Sequence, residues 1–126
     1  MMKHFHLSWT GGNQAMPDAN LVLERLRSAL LCGGVVTLDA DDESDRSSSL
    51  QVRIEGGRFL LTFGWDDGFS WKMKVFVHPD SEHLVGQSSL LGDVWLNRII
   101  FSDQKVVVEA FMNFLNGVHP AGDGWI

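Results

Sequence analysis

The sequence is poor in the features that mark secreted and membrane-spanning proteins. Its single cysteine, Cys32, cannot form an internal disulfide, which fits a reducing compartment. No apolar run has the length needed to span a bilayer, and the first residues lack the apolar stretch of a secretory signal peptide. We therefore expect a cytoplasmic protein without a membrane partner.

Signatures of common enzymes and metal sites are also missing. GxSxG, GxGxxG and GxxxxGK[ST] do not occur. Histidines occur in the pairs His4/His6 and His78/His83, but no HExxH spacing enforces a zinc site. Cys32 is interpreted as a small buried residue at a helix end and not as a nucleophile. We therefore predict no catalytic residue, no metal and no cofactor.

Acidic residues outnumber basic ones, 16 to 10, and the formal net charge is −6. Nucleic-acid affinity comes largely from neutralising phosphates with basic side chains, so this balance argues against a nucleic-acid partner. It favours a partner protein with a basic surface. The length of 126 residues and the hydrophobic content of 44% are those of a single globular domain, which we assign to residues 1–126.

The clearest pattern covers residues 50–77 and is typical of a three-stranded antiparallel meander. Apolar and polar residues alternate on both sides of Gly56-Gly57, a pair that accepts the positive φ angles of a tight hairpin turn. Facing residues of an antiparallel pair share a face of the sheet, so the register must match apolar to apolar. The predicted pairs are Glu55 with Arg58, Ile54 with Phe59, Val52 with Leu61, and Leu50 with Phe63.

The second hairpin of the meander admits two registers. A two-residue turn at Asp67-Gly68 would place Phe63 opposite Lys72. A three-residue loop that begins at Asp66 matches apolar residues instead, and we predict this register. Its pairs are Trp65 with Phe69, Phe63 with Trp71, Leu61 with Met73, and Phe59 with Val75.

This second register would gather basic side chains on the face of the sheet that points away from the core. They are Arg53, Arg58, Lys72 and Lys74. A basic sheet face can bind single-stranded RNA, but stacking requires aromatic rings, and only Phe76 would lie on this face. We interpret it as a solvent-exposed face and keep it as the alternative to an acidic interface.

Helical periodicity predicts two helices, at about residues 19–31 and 103–116. Asp18 and Ser102 are suited to cap their N-termini. The second helix has only a narrow polar stripe, so it should be buried against the apolar face of the meander. With short strands at residues 4–9 and 35–39, the fold class is α+β, with a largely antiparallel sheet of about five to six strands.

A serine-rich acidic stretch precedes the meander. Its carboxylates belong to Asp39, Asp41, Asp42, Glu43 and Asp45. It superficially resembles an EF-hand loop, but Ser44 stands where that loop needs glycine and Leu50 where it needs glutamate. We interpret the stretch as an exposed loop that either is simply solvated or meets a cationic partner.

The tip of the second hairpin combines negative charge with aromatic area. Asp and Gly are favoured turn residues, which explains Asp66 and Asp67 without any chemistry. Beside Trp65 and Phe69, however, they give a combination of aromatic area and negative charge that recurs at protein-binding hot spots. The predicted partner-binding residues are Asp39, Asp41, Asp42, Glu43, Asp45, Trp65, Asp66 and Asp67.

The chain resembles a class of small acidic bacterial proteins in three consecutive segments. These are ANLVLERLRSALLCGG, VVTLD and LQVRIEGGRFLLTFGWDDG. Over residues 19–77 the chain resembles the immunity proteins of polymorphic and contact-dependent growth inhibition toxin systems. The resemblance implies a cytoplasmic, stoichiometric inhibitor, without activity of its own, that neutralises one cognate toxin. Many such toxins are nucleases with basic clefts, which an acidic inhibitor would complement.

Two other classes of function remain open from the sequence. A small enzyme or small-ligand-binding protein would need polar groups between sheet and helix, where the predicted residues are nearly all apolar. An accessory subunit could dimerise through the apolar second helix.

Overall fold

A computed structural model describes residues 4–42, 44 and 46–126 of the protein and confirms the α+β fold class. In the described part, the strands are β1 (His4–Trp9), β2 (Gly12–Ala15), β3 (Gly34–Asp41), β4 (Ser47–Glu55), β5 (Arg58–Asp66), β6 (Trp71–Val75), β7 (Gln87–Leu90) and β8 (Asp93–Leu96). The helices are α1 (Ala19–Cys32) and α2 (Gln104–Leu115), and a single 3₁₀ turn spans Asn97–Ile99.

Six of these strands form one antiparallel sheet in the order β2-β1-β3-β4-β5-β6. The strands β7 and β8 form a separate hairpin. The strands β2 and β7 were not predicted from the sequence. Both strands have only four residues, of which three are exposed in β2 and two in β7, so neither carries the alternation that marks a half-buried strand.

Both helices pack on one face of the sheet, which we call the inner face. The alternating residues Leu38, Leu50, Val52 and Phe63 on this face are almost completely buried. From α2, Phe114 contacts Phe63 edge to face at 5.5 Å between ring centroids. The first hairpin has the predicted register, including Leu50 opposite Phe63, and is therefore confirmed.

The predicted register of the second hairpin is wrong. The strands pair Phe63 with Lys74 and Trp65 with Lys72, so both lysines lie on the inner face. The loop has four residues, 67–70, because Asp66 and Asp67 fold it through their own side chains. Asp66 accepts from the Gly68 amide at 2.8 Å, and Asp67 accepts from two further amides of the loop.

The inner face tolerates these lysines because β6 is an edge strand. The Lys74 ammonium donates to the Pro120 carbonyl at 3.2 Å and lies 5.2 Å from the ring centroid of Trp65. Inward charges on an edge strand also oppose pairing with strands of other molecules. The contacts of the Lys74 ammonium and the protection of the sheet edge therefore stabilise this register more than apolar pairing would stabilise the predicted one.

The corrected register separates the basic residues that were predicted to share the outer face. Arg53 and Arg58 do lie on that face, but the β7–β8 hairpin covers them. Arg58 donates to the Ser89 carbonyl at 2.9 Å, and the Arg53 guanidinium lies 5.1 Å from the ring centroid of Trp95. The predicted basic surface therefore does not form, because its two arginines and two lysines lie on opposite faces of the sheet.

The helix caps agree with the sequence to within one residue. Asp18 caps α1 by accepting from the Leu21 amide at 2.8 Å, as predicted. The cap of α2 is Asp103 and not Ser102, since the Asp103 side chain accepts from the Lys105 amide at 3.1 Å. In the part of the chain that the structure describes, no helix combines the length and the apolar character of a membrane span.

Candidate protein-binding site at the end of the sheet

The β3–β4 turn and the β5–β6 loop lie at the same end of the antiparallel sheet. Arg46 of the turn reaches Gly68 of the loop. Its Nη2 atom lies so close to this glycine that an added Cβ atom would be only 2.9 Å away. The structure thus brings together the two regions that the sequence analysis singled out independently.

The acidic residues before the meander are distributed differently from the prediction. Asp39 and Asp41 belong to strand β3 and are not part of a loop, while Glu43 and Asp45 lie outside the described residues. Asp41 accepts from the Ser47 hydroxyl at 2.7 Å across the strand pair.

Asp42 shapes the turn itself. Its Oδ1 atom accepts from the amides of Ser44 at 2.8 Å and Arg46 at 3.0 Å. This carboxylate has therefore a local structural role, which the sequence analysis did not assign to it.

Asp66 and Asp67 use their carboxylates in the same way in the neighbouring loop. Oδ1 of Asp67 accepts from the amides of Ser70 and Phe69, both at 2.9 Å. These bonds hold the pKa of Asp67 below its ordinary value, and the nearby positive charges of Lys72 and Arg46 lower it further. The Asp67 carboxylate is consequently a stable anion at neutral pH.

Trp65 does not project from the tip. It is half-buried and stacks on Phe63, with ring centroids 5.7 Å apart and an interplanar angle of 17°. The exposed apolar side chains near the tip are Phe69, which is 99% exposed, Trp71 at 49% and Met73 at 62%. Phe69 was expected beside the acidic tip but was not counted among the partner-binding residues. Trp71 and Met73 were missed because the predicted register buried them.

We call Asp66, Asp67, Phe69, Trp71 and Met73 the tip surface. It places two carboxylates next to three exposed apolar side chains at one corner of the molecule. An exposed apolar cluster that is bordered by charge is a common feature of protein-binding sites.

A cleft of about 650 Å³ opens beside the tip surface, and we call it the acidic cleft. Its floor includes Ala40, Ser48 and Trp65, which face one another across β3, β4 and β5 on the inner face. Other lining residues are Asp42, Arg46, Ser47, Asp66, Asp67, Gly117 and His119.

A second cavity, of about 520 Å³, lies between the β7–β8 hairpin and the start of α2. Within it, Nε2 of His78 lies 3.1 Å from Oδ2 of Asp103, and Nδ1 accepts from the Asp80 amide at 3.1 Å. A proton on Nε2 satisfies both contacts, so both ring nitrogens of His78 are engaged. The hydrogen bond from His78 lowers the pKa of Asp103. The sequence analysis did not foresee this pair, which joins residues 25 positions apart.

The other side chains considered from the sequence stand apart from these sites. Cys32 is exposed at the end of α1 and not buried as predicted. Among the described residues, no three histidine, cysteine, aspartate or glutamate side chains are grouped so that they could hold a metal ion.

Comparison with known proteins gives a family and a fold. No curated protein matches the chain significantly. The fold is similar to the crystal structure of a hypothetical protein from Neisseria gonorrhoeae, with a TM-score of 0.71 and 13% sequence identity, over 94% of this chain and 91% of that chain. The model of a family of unknown function, DUF6911, matches residues 2–119, so the chain belongs to this family.

Proposed function

We propose that this protein acts by binding another protein through the tip surface, as a stoichiometric inhibitor of the immunity type. In this proposal it works in the cytoplasm and neutralises a cognate toxin domain that has a basic surface. The observation that carries the proposal is the exposure of Phe69, Trp71 and Met73 beside Asp66 and Asp67.

The exposed apolar side chains would supply most of the affinity. Phe69 is 99% exposed in a loop that side-chain hydrogen bonds already fix, so its exposure is not needed to close the turn. Aromatic residues that are held in place and then buried by a partner are typical hot spots. A fixed loop also lowers the entropy cost of binding.

The carboxylates would supply orientation and speed of association. The net charge of −6 favours approach to a cationic surface. The tip itself carries charges of both signs, however, because the positive side chains of Arg46 and Lys72 lie beside Asp67. The partner surface should therefore alternate in charge near the tip while being basic as a whole.

The experiment compares capture of native proteins from the source cells by the wild type and by Phe69→Ser. Leu31→Ser is the matched control, because Leu31 is 88% exposed at the end of α1 and lies outside the tip surface. We expect a basic protein that the wild type and Leu31→Ser retain and Phe69→Ser loses. Expression of that partner alone should be toxic, and co-expression of this protein should restore growth.

Two results would overturn the proposal. One is a captured partner that binds Phe69→Ser as tightly as the wild type. The other is a partner that is acidic, or whose expression has no effect that this protein relieves.

A second candidate function is binding of a small polar molecule in the cavity at His78. The observation that favours it is Ser81, which lines this cavity and is only 6% exposed. Its hydroxyl makes no hydrogen bond to the residues that the structure describes. Thermal stabilisation by a metabolite library that Ser81→Ala abolishes would favour this function over protein binding.

A further inference from the structure

We propose that the acidic cleft receives one arginine side chain of the partner protein. This inference rests on the proposed function and assigns a specific contact to it. The cleft adjoins the tip surface and shares Asp66 and Asp67 with it. A partner that covers Phe69 could therefore insert a side chain into the cleft at the same time.

Ser48 lies on the floor of the cleft with its hydroxyl unused by the described part of the fold. Ser48 is only 6% exposed, and its hydroxyl has no hydrogen-bond partner among residues 4–42, 44 and 46–126. Its oxygen is not one of the buried polar atoms that lack a partner in the described chain, so the hydroxyl keeps contact with solvent in the cleft and can bond to a ligand there. A donor that enters the cleft would satisfy this hydroxyl as an acceptor.

The charges around the cleft leave two carboxylates without a cationic neighbour in an ion pair among the described residues. Arg46 and Lys72 already offset the charge of Asp67. Asp42 and Asp66, in contrast, form no ion pair with any described residue. Each uses Oδ1 for backbone amides, and its Oδ2 remains available for a further donor.

The acceptors of the cleft belong to different elements of the fold. Ser48 lies on β4, Asp66 ends β5, and Asp42 lies in the turn between β3 and β4. Arginine presents five N–H donors in a planar fork, whereas lysine presents its three donors at one point. A guanidinium group is therefore better suited to acceptors that belong to separate elements.

The size and the walls of the cleft agree with this assignment. Its volume of about 650 Å³ lies within the range of about 300–1,000 Å³ for ligand sites. Trp65 and Ala40 provide apolar surface against which the methylene groups of an arginine can pack.

The probe is N-acetyl-L-arginine methylamide, whose only charge is the guanidinium. The corresponding citrulline derivative has nearly the same shape without the charge, and the lysine derivative has the charge without the fork. Two-dimensional ¹H–¹⁵N NMR of the full chain should show saturable shifts at Ser48, Asp66 and the Trp65 indole. We expect millimolar affinity for the arginine probe and no saturable shifts with the citrulline probe.

Two variants test the contacts. Asp66→Asn keeps the oxygen that accepts from the Gly68 amide and removes the charge, while Ser48→Ala removes the hydroxyl. Each should weaken arginine binding by about tenfold, as expected for the loss of one hydrogen bond to a charged group. Asp123→Asn, which alters an exposed carboxylate outside the cleft, should bind the probe like the wild type.

Dispersed spectra of each variant establish that it is folded. Equal shifts with the citrulline probe, tighter binding of lysine than arginine, or shifts outside the cleft would overturn the arginine assignment. Loss of partner capture by Phe69→Ser, together with absence of arginine binding, would leave the proposed function standing and reject the cleft. Arginine binding without any tip-dependent partner would reject the proposed function and leave the cleft as a cation site.

Discussion

The indole ring of Trp71 lies over Gly64 of the neighbouring strand, so closely that a Cβ atom at Gly64 would come within 2.4 Å of Cζ2 of Trp71. Trp71 stands opposite Asp66 and reaches diagonally across the pair to the glycine. Gly64 is therefore the position that lets a large aromatic side chain lie flat on the outer face. Together with the loop hydrogen bonds of Asp66 and Asp67, this contact fixes the register of the second hairpin.

We expect Gly64→Ala to destabilise the protein by about 1–3 kcal/mol, because overpacking forces Trp71 out of its position. The same change in a Trp71→Ala background should be neutral or stabilising, since alanine in a strand interior is favoured over glycine by about 0.5–1 kcal/mol. Urea unfolding of the four proteins of this double-mutant cycle measures the coupling. If Gly64→Ala lowers the unfolding free energy equally with and without Trp71, the packing of the Trp71 ring does not require glycine at position 64.

The contrast between the two hairpins shows what the sequence could determine. In the first, Gly56-Gly57 fixes the loop length, and alternation then leaves one register with matching faces. In the second, the loop length depends on the hydrogen bonds that Asp66 and Asp67 make with loop amides, which composition does not reveal. The glycine at position 64, inside a strand of bulky residues, was the available signal.

The candidate site was partly predictable for the same reason. Asp66 and Asp67 were identified as tip residues because turn chemistry is local. Their contact with the β3–β4 turn through Arg46 depends on the order of strands in the sheet, which pairs β3, β4 and β5 side by side. The His78–Asp103 pair could not be found at all, because neither residue shows a pattern at its own position.

Phe111→Ala should cost about 3 kcal/mol or more of unfolding free energy, the usual loss for a buried phenylalanine. Phe111 is completely buried between α2 and the sheet. Asn113→Ala on the exposed side of the same helix is the control and should change stability by less than about 0.5 kcal/mol. A loss below about 1 kcal/mol for Phe111→Ala in denaturant unfolding would contradict a core role for α2.

The carboxylate of Asp103 should make the stability depend on pH in the acid range. Its pKa is lowered in the folded protein, so its contribution is present above the pKa of the unfolded chain and is lost as the pH falls through the folded pKa. Asp103→Asn keeps an acceptor for the α2 cap and removes the charge.

We therefore expect the wild type to be more stable than Asp103→Asn at pH 7, with a difference that shrinks below the ordinary aspartate pKa of about 3.9. Denaturant unfolding between pH 7 and pH 3 measures it. Asp123→Asn, which removes one carboxylate at an exposed residue, is the matched control for the change in net charge. A difference that stays constant with pH would mean that Asp103 acts only as a neutral cap.

The last prediction separates the roles of charge and apolar area in binding the captured basic partner. Replacement of Asp39, Asp41 and Asp42 by Asn should slow association by about threefold to tenfold at low ionic strength, and the effect should disappear at high salt. The amide oxygens can still accept the turn hydrogen bonds, so the fold is retained. Phe69→Ser should instead speed dissociation, because it removes a desolvated contact and little long-range charge.

Phe69 is a better position for this test than Trp65. Trp65→Ala would also remove the stacking contact with Phe63, and its effect on binding would be mixed with a loss of stability. Surface plasmon resonance at two salt concentrations, with Leu31→Ser as control, gives both rate constants. An unchanged association rate for the triple Asn variant at low salt would show that electrostatic steering does not contribute. Because Phe69 is 99% exposed in the free protein, a faster dissociation would report a lost contact with the partner and not a loss of stability. Unchanged dissociation for Phe69→Ser would remove Phe69 from the interface.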